Sequence, residues 1–214
     1  MSQLDNSPIQ PLDDISLAAA AKHLAELDPD LAATYRRYGP PPLWARPPGF
    51  TTLIRIILEQ QVSLASALAA FNRLGAALGE ITPAGVLRLD DAALKAIGFS
   101  RQKTRYARLL AEALLNGSLD LDALASLPDG EVRARLVELK GIGRWSADIY
   151  LLMALRRPDV WPSGDLALVS ALARLKRLPG LPAPAEFEQM GEAWRPWRAV
   201  AARTIWYDYL GGMP

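Results

Sequence analysis

From residue 14 onward, apolar side chains recur every three or four positions, and clusters of Pro, Gly, Asp and Ser interrupt them. That period predicts one helix after another. "DDISLAAAAKHLAEL" has an acidic start and an alanine-rich body, and "PDLAATYRRY" follows as a shorter helix. The stretch "GPPPLWARPPG" (39–49) excludes helix and central strand, because its prolines fix φ and remove donors. A long apolar segment then runs from Phe50 to about Leu78 and breaks near Ser63, which suits an N-cap. Thr82 caps the next helix with Pro83 in its first position, and Gly98 suits a left-handed stop. Ser100 opens a helix that halts at Gly117, with its basic residues crowded into the first half.

Helices are expected over 131–139 and 144–155, around the turn "LKGIG", the second running on to just before Pro158. Two more segments follow, "GDLALVSALARLKRL" and one final helical segment, "PAEFEQMGEAWRPWRAVAARTIWYDYL". No run of useful length alternates apolar and polar residues, and no Asn-Gly hairpin turn occurs. The predicted fold class is all-α. Residues 1–13, polar and proline-bearing, read as a flexible tail ahead of one domain over 14–214.

Composition narrows the function classes. There are no cysteines, which removes disulfides, iron–sulfur clusters and thiol catalysis, and the single histidine argues against a zinc site. That histidine, His23, falls on the first amphipathic helix and reads as structural. A net charge of +1 means that a polyanionic partner must be met by a local basic face. No run of about 18 apolar residues and no basic-then-apolar leader occurs, so a cytoplasmic protein with no membrane partner is expected.

Two stretches carry candidate chemistry. In "LKGIG", Gly141 and Gly143 permit a tight connection, and Ile142 can plug the core between the two helices. Such a turn leaves backbone amides pointing outward at a helix N-terminus, a ready anion site flanked by Lys140 and Arg144. A monovalent cation could share the carbonyls of 139–143. The same pentapeptide also fits an ordinary helix–helix corner, since short glycine signatures recur by chance. In "VWPSGDLALVSAL", Asp165 stands between a Pro/Gly loop and a new helix. Aspartate is a favoured cap there, but a helix N-terminus also favours a catalytic negative charge.

"LKGIGRWSADIYLLMAL" followed by "DVWPSGDLAL" resembles the helix–hairpin–helix and aspartate signature of the HhH-GPD DNA glycosylase superfamily. Within it the likeness is closest to the 3-methyladenine DNA glycosylase II (AlkA-like) branch. "PGFTTLIRIILEQQVS", "GFSRQKTRYARLLAEALLNG" and "WRPWRAVAARTIWYDYL" resemble the same branch, in the expected order, so the likeness spans roughly residues 45–210. It implies two helical subdomains with the hairpin at 131–155 and an active-site cleft between them, in a compact form without the N-terminal β domain of well-known bacterial members.

The resemblance also implies roles. The catalytic aspartate falls on Asp165, whose carboxylate would stabilise the cationic sugar as the base leaves. The lysine with which strand-nicking members form a Schiff base falls on Trp145, so a monofunctional enzyme without lyase activity is expected. Trp206 and Tyr207 match base-pocket aromatics, suited to a cationic alkylated base. Trp44 and Phe50 are candidates for the opposite wall and Trp145 for the pocket mouth. Trp194 and Trp197 read as core. The wedge that fills the vacated stack falls on Gln61, with Gln60 beside it.

Phosphate contacts are expected from Gly141, Ile142, Gly143, Lys140, Arg144, Ser163, Arg101 and Lys103, with Arg105 and Arg108 nearby. The implied partner is double-stranded DNA with alkylated bases, 3-methyladenine first and then 7-methylguanine. The protein is expected to be a monomer without cofactor or catalytic metal. A glycosylase for hypoxanthine or ethenoadenine, and a non-catalytic DNA-binding module, stay open as alternatives.

Overall fold

The computed structural model describes residues 10–213, and within them the chain forms thirteen helices and no strand. α1 (Asp14–Leu27) opens on a reciprocal capping box between Asp13 and Ser16, and α2 (Pro29–Tyr38) opens on Asp28. The long apolar segment does split at Ser63, into α3 (Phe50–Glu59) and α4 (Leu64–Leu78). α5 (Pro83–Arg88) starts on the Thr82 cap, α6 (Asp91–Ile97) ends on Gly98 at φ 116°, and α7 (Arg101–Leu115) opens on Ser100. α8 (Leu121–Leu124) is a single turn, too short to carry a period.

α9 (Asp129–Val137) and α10 (Arg144–Met153) flank the glycine turn. α10 stops short of the expected end because Leu155 N–H donates back to Tyr150 O and Arg156 adopts φ 53°. α11 (Leu166–Leu175) follows Asp165. The final segment is two helices, α12 (Pro184–Glu192) and α13 (Arg198–Tyr209), since Pro196 cannot extend the first ladder.

The chain forms two compact units, one built from the described residues up to Ala45 and from Arg156 on, the other from Arg46–Leu155. In the first, α13 is buried on every face over Ala199–Trp206 and packs against α1, α2 and α11. The tail expected over 1–13 is anchored at its end: Leu12 is buried and its N–H donates to Arg156 O at 2.8 Å. Residues 1–9 lie outside the described residues. Expected as core, Trp194 is buried and donates from Nε1 to Asp28 Oδ2 at 3.0 Å, whereas Trp197 is half-buried at the head of α13. His23 is exposed on α1.

In the second unit α3 is the core helix, with Leu53, Ile54, Ile56, Ile57 and Leu58 buried against α4, α7 and α10. Glu59 puts a buried negative charge at the C-terminal end of α3, where the helix dipole opposes it. Arg46 offsets that with a two-pronged bond, 2.8 Å to each oxygen, and Arg55 adds a third at 3.2 Å. Gly49 N–H donates to Tyr150 Oη at 3.0 Å, tying the start of α3 to α10. Among the described residues no helix is long and apolar enough to cross a membrane.

Candidate active site

The hairpin turn is shaped by one glycine more than the other. Gly141 sits at φ 103°, and a Cβ there would fall 2.1 Å from Tyr106 Cγ, so its backbone lies against the face of that ring. Gly143 is extended, at φ −87° and ψ 177°, a conformation open to any residue. Its distinction is space, since nothing stands within 4 Å of a Cβ built on it. Ile142 is buried as expected, and its N–H donates to Leu139 O at 3.0 Å. The first intrahelical bond of α10 runs from Ala147 N–H to Gly143 O, so the amides before it face out of the helix end.

Lys140 and Arg144 are exposed on either side of the turn. Asp148, fully buried on α10, ties the hairpin together by accepting from Arg133 of α9 at 2.7 Å, with Arg144 Nε 3.7 Å from its other oxygen. No spacing pattern announces that pair. The carbonyls of Leu139, Gly141 and Gly143 each accept one hydrogen bond within the unit, which leaves each oxygen a second lone pair. Among the described residues no group of His, Cys, Asp and Glu could hold a metal ion.

The wedge turn between α3 and α4 separates its two glutamines. Gln61 is exposed at φ 56°. Gln60, expected beside it in the wedge, points its Nε2 inward, donating to Gly141 O at 2.8 Å and to Ser146 Oγ at 3.0 Å. Lys103, expected on a phosphate, is likewise engaged within the unit. Its ammonium donates to Leu58 O at 2.7 Å, at the end of α3, and burial pushes its pKa below the usual lysine value. Arg108 is engaged with Leu89 O and Asp91 at 2.9 and 2.8 Å. Arg101 and Arg105 remain exposed on α7.

In the first unit Asp165 is the N-cap of α11, half-exposed, with Oδ1 accepting Leu168 N–H at 2.7 Å. Gly164 before it turns at φ 82°, and Leu166 after it is 76% exposed, an apolar side chain beside the carboxylate. Ser163, expected on a phosphate, instead bonds through its hydroxyl to the Glu188 carboxylate of α12.

The aromatic side chains sort by depth. Trp206 is nearly buried at 9% exposure, while Tyr207, one residue on, is half-buried. Tyr207 meets Trp44 edge-on with centroids 6.3 Å apart and Tyr38 at 5.6 Å, so three rings cluster there. No local pattern brings Tyr38 to these rings; the packing of α2 on α13 does. Arg203, fully buried one turn before Tyr207, donates from Nε to Leu43 O at 2.9 Å and steadies the loop that carries Trp44. Burial lowers its pKa to about 9.

Phe50 belongs to the other unit. It is buried in the second unit and borders a hollow of about 440 Å³ with Gly49, Leu114 and Leu119. Trp145 is half-buried in the first turn of α10, in the same unit as the hairpin.

Residues 54–196 match the model of the HhH-GPD superfamily base excision DNA repair protein. DNA-3-methyladenine glycosylase 1 of Schizosaccharomyces pombe is 32% identical over 198 residues, covering 89% of this chain and 87% of that protein. DNA-3-methyladenine glycosylase 2 of Escherichia coli is 32% identical over 168 residues, 72% of this chain and 55% of its own length. The solved structure of the S. pombe 3-methyladenine DNA glycosylase Mag1 in complex with abasic DNA superposes with a TM-score of 0.83 at 29% identity. It covers 92% of this chain and 99% of that one. With the family model matching residues 54–196 and 32% identity to the S. pombe glycosylase 1, the chain belongs to the HhH-GPD superfamily of base excision DNA repair proteins.

Proposed function

We propose that this protein is a monofunctional DNA glycosylase: it everts an alkylated purine from duplex DNA, breaks the N-glycosidic bond and leaves an abasic site. The observation that carries the reading is Asp165, an acidic cap held by Leu168 N–H on a loop with Gly164 at positive φ. As the C1′–N bond breaks, its electron pair leaves with the base and positive charge builds on the sugar. A fixed carboxylate lowers the energy of that cation, and water then adds at C1′ with loss of a proton. A base alkylated at N3 or N7 is itself cationic and leaves easily. The names of the relatives support 3-methyladenine as the first substrate; 7-methylguanine, likewise cationic, comes next on its leaving-group chemistry alone.

Trp145 supports hydrolysis without strand cleavage. An indole nitrogen cannot form a Schiff base, so the lyase route has no amine at that position. Tyr207, Trp44 and Tyr38 line an aromatic wall for the flipped base, only one of whose rings can lie face-on to it, with Trp206 behind them. Gln61 fills the vacated stack. The turn amide at Gly143, together with Lys140, Arg144, Arg101 and Arg105, holds the backbone. The protein acts as a monomer.

The test is release of free bases from methylated duplex DNA, with products identified. Asp165→Asn keeps its affinity for duplex DNA and loses at least about a hundredfold in base release, the scale of one electrostatic transition-state contact. An Asn variant with wild-type turnover overturns the assignment.

A further inference from the structure

We propose that Gln60 is a positioning residue: by donating from the wedge turn into the hairpin, it holds Gln61 in fixed relation to the phosphate grip. The inference rests on the reading of Gln61 as the wedge and of the glycine turn as a phosphate contact. Gln60 ends α3 at φ −60° and ψ 122°, and Gln61 follows at φ 56°, so the pair forms the bend that projects the exposed amide. The Gln60 amide nitrogen has two N–H groups, and both are used, on Gly141 O at 2.8 Å and on Ser146 Oγ at 3.0 Å. The amide cannot turn over without losing both donors from that site.

Two contacts from α7 close the same corner. Lys103 Nζ donates to Leu58 O at 2.7 Å, and the Tyr106 ring backs Gly141. The wedge turn, the hairpin turn and the head of α7 thus meet as one packed joint. Opening a base stack costs a few kcal/mol, and a side chain driven into it meets that resistance. A wedge on a loose bend would yield. One tied to the hairpin passes the load to the turn that holds the backbone.

The experiment uses the whole chain and a duplex containing a tetrahydrofuran abasic analogue beside 2-aminopurine, whose fluorescence reports stacking. Gln60→Met removes both donors at similar length, and Ser146→Ala removes one acceptor. Gln60→Met is expected to keep its affinity for undamaged duplex. It loses about tenfold in preference for the abasic analogue, the scale of two neutral hydrogen bonds, together with the wedge-dependent fluorescence change. Combined with Gln61→Ala it is no worse than Gln61→Ala alone, because both act through the wedge.

Losses that multiply in the double variant, or wild-type preference in Gln60→Met, overturn the proposal while a defective Gln61→Ala leaves the wedge reading standing. A wild-type Gln61→Ala instead overturns the wedge reading and this inference with it. Should Gln60→Met not fold, Ser146→Ala decides: about threefold loss of preference is expected, and none overturns the proposal.

Discussion

Gly141 and Gly143 lie two residues apart in one turn, and the backbone asks different things of them. At Gly141 positive φ and the Tyr106 ring each exclude a side chain. Alanine there must displace the ring or bend the turn, at a cost of about 1–3 kcal/mol. At Gly143 neither constraint holds, so alanine leaves stability within about 0.5 kcal/mol of wild type. What Gly143→Ala removes is close approach to the amides, and its loss belongs in DNA affinity. Urea unfolding and duplex titration of both variants check this. Equal stability losses at the two positions would contradict it.

Between elements, the first unit is fastened at Asp28. Its carboxylate caps α2, accepts from Lys176 at the C-cap of α11 at 2.8 and 2.7 Å, and accepts from Trp194 Nε1 at 3.0 Å. Burial alone would raise the Asp28 pKa, but the bonds from Lys176 and Trp194 outweigh it and hold the carboxyl below the usual range. Its contribution is therefore complete above the unfolded-state value and is lost as pH falls through the lower folded one. Lys176 runs the other way. Burial would lower it, yet Asp28 and Asp30 hold it above the usual lysine value, so its share is lost only as pH rises past that. Asp28→Asn should cost about 2 kcal/mol near neutral pH, the scale of charge-assisted hydrogen bonds, and should flatten the acid limb of stability. Unfolding midpoints measured from acid to neutral pH test both parts.

For the molecule as a whole, a net charge of +1 leaves duplex binding to a few exposed cations rather than to a global field. Lys103 and Arg108 are spent on carbonyls and Asp91, which leaves Arg101, Arg105, Lys140 and Arg144 exposed in the second unit. Four phosphate contacts predict a slope of log affinity against log salt of about −3.6, or roughly a hundredfold loss between 50 and 200 mM. A slope near zero would remove this face from the binding account. Replacing Lys140 by alanine should reduce the slope by about one; replacing Lys103 should instead lower stability.

Most element boundaries were legible in the chain because they depend on neighbours a few residues away. Ser63, Thr82, Ser100 and Asp165 cap their helices, and Gly98 ends one, through bonds that span three or four positions. The same local chemistry marked the hairpin and its buried Ile142. Distant partners left no such trace. Gln60 bonds Gly141, Lys103 bonds Leu58 and Ser163 bonds Glu188, across 81, 45 and 25 positions. Tyr38 joined Trp44 and Tyr207 only where α2 meets α13. Caps and turns are short-range and written in order along the backbone; the partner that claims a long polar side chain is chosen by which helices pack together, and no local pattern encodes that.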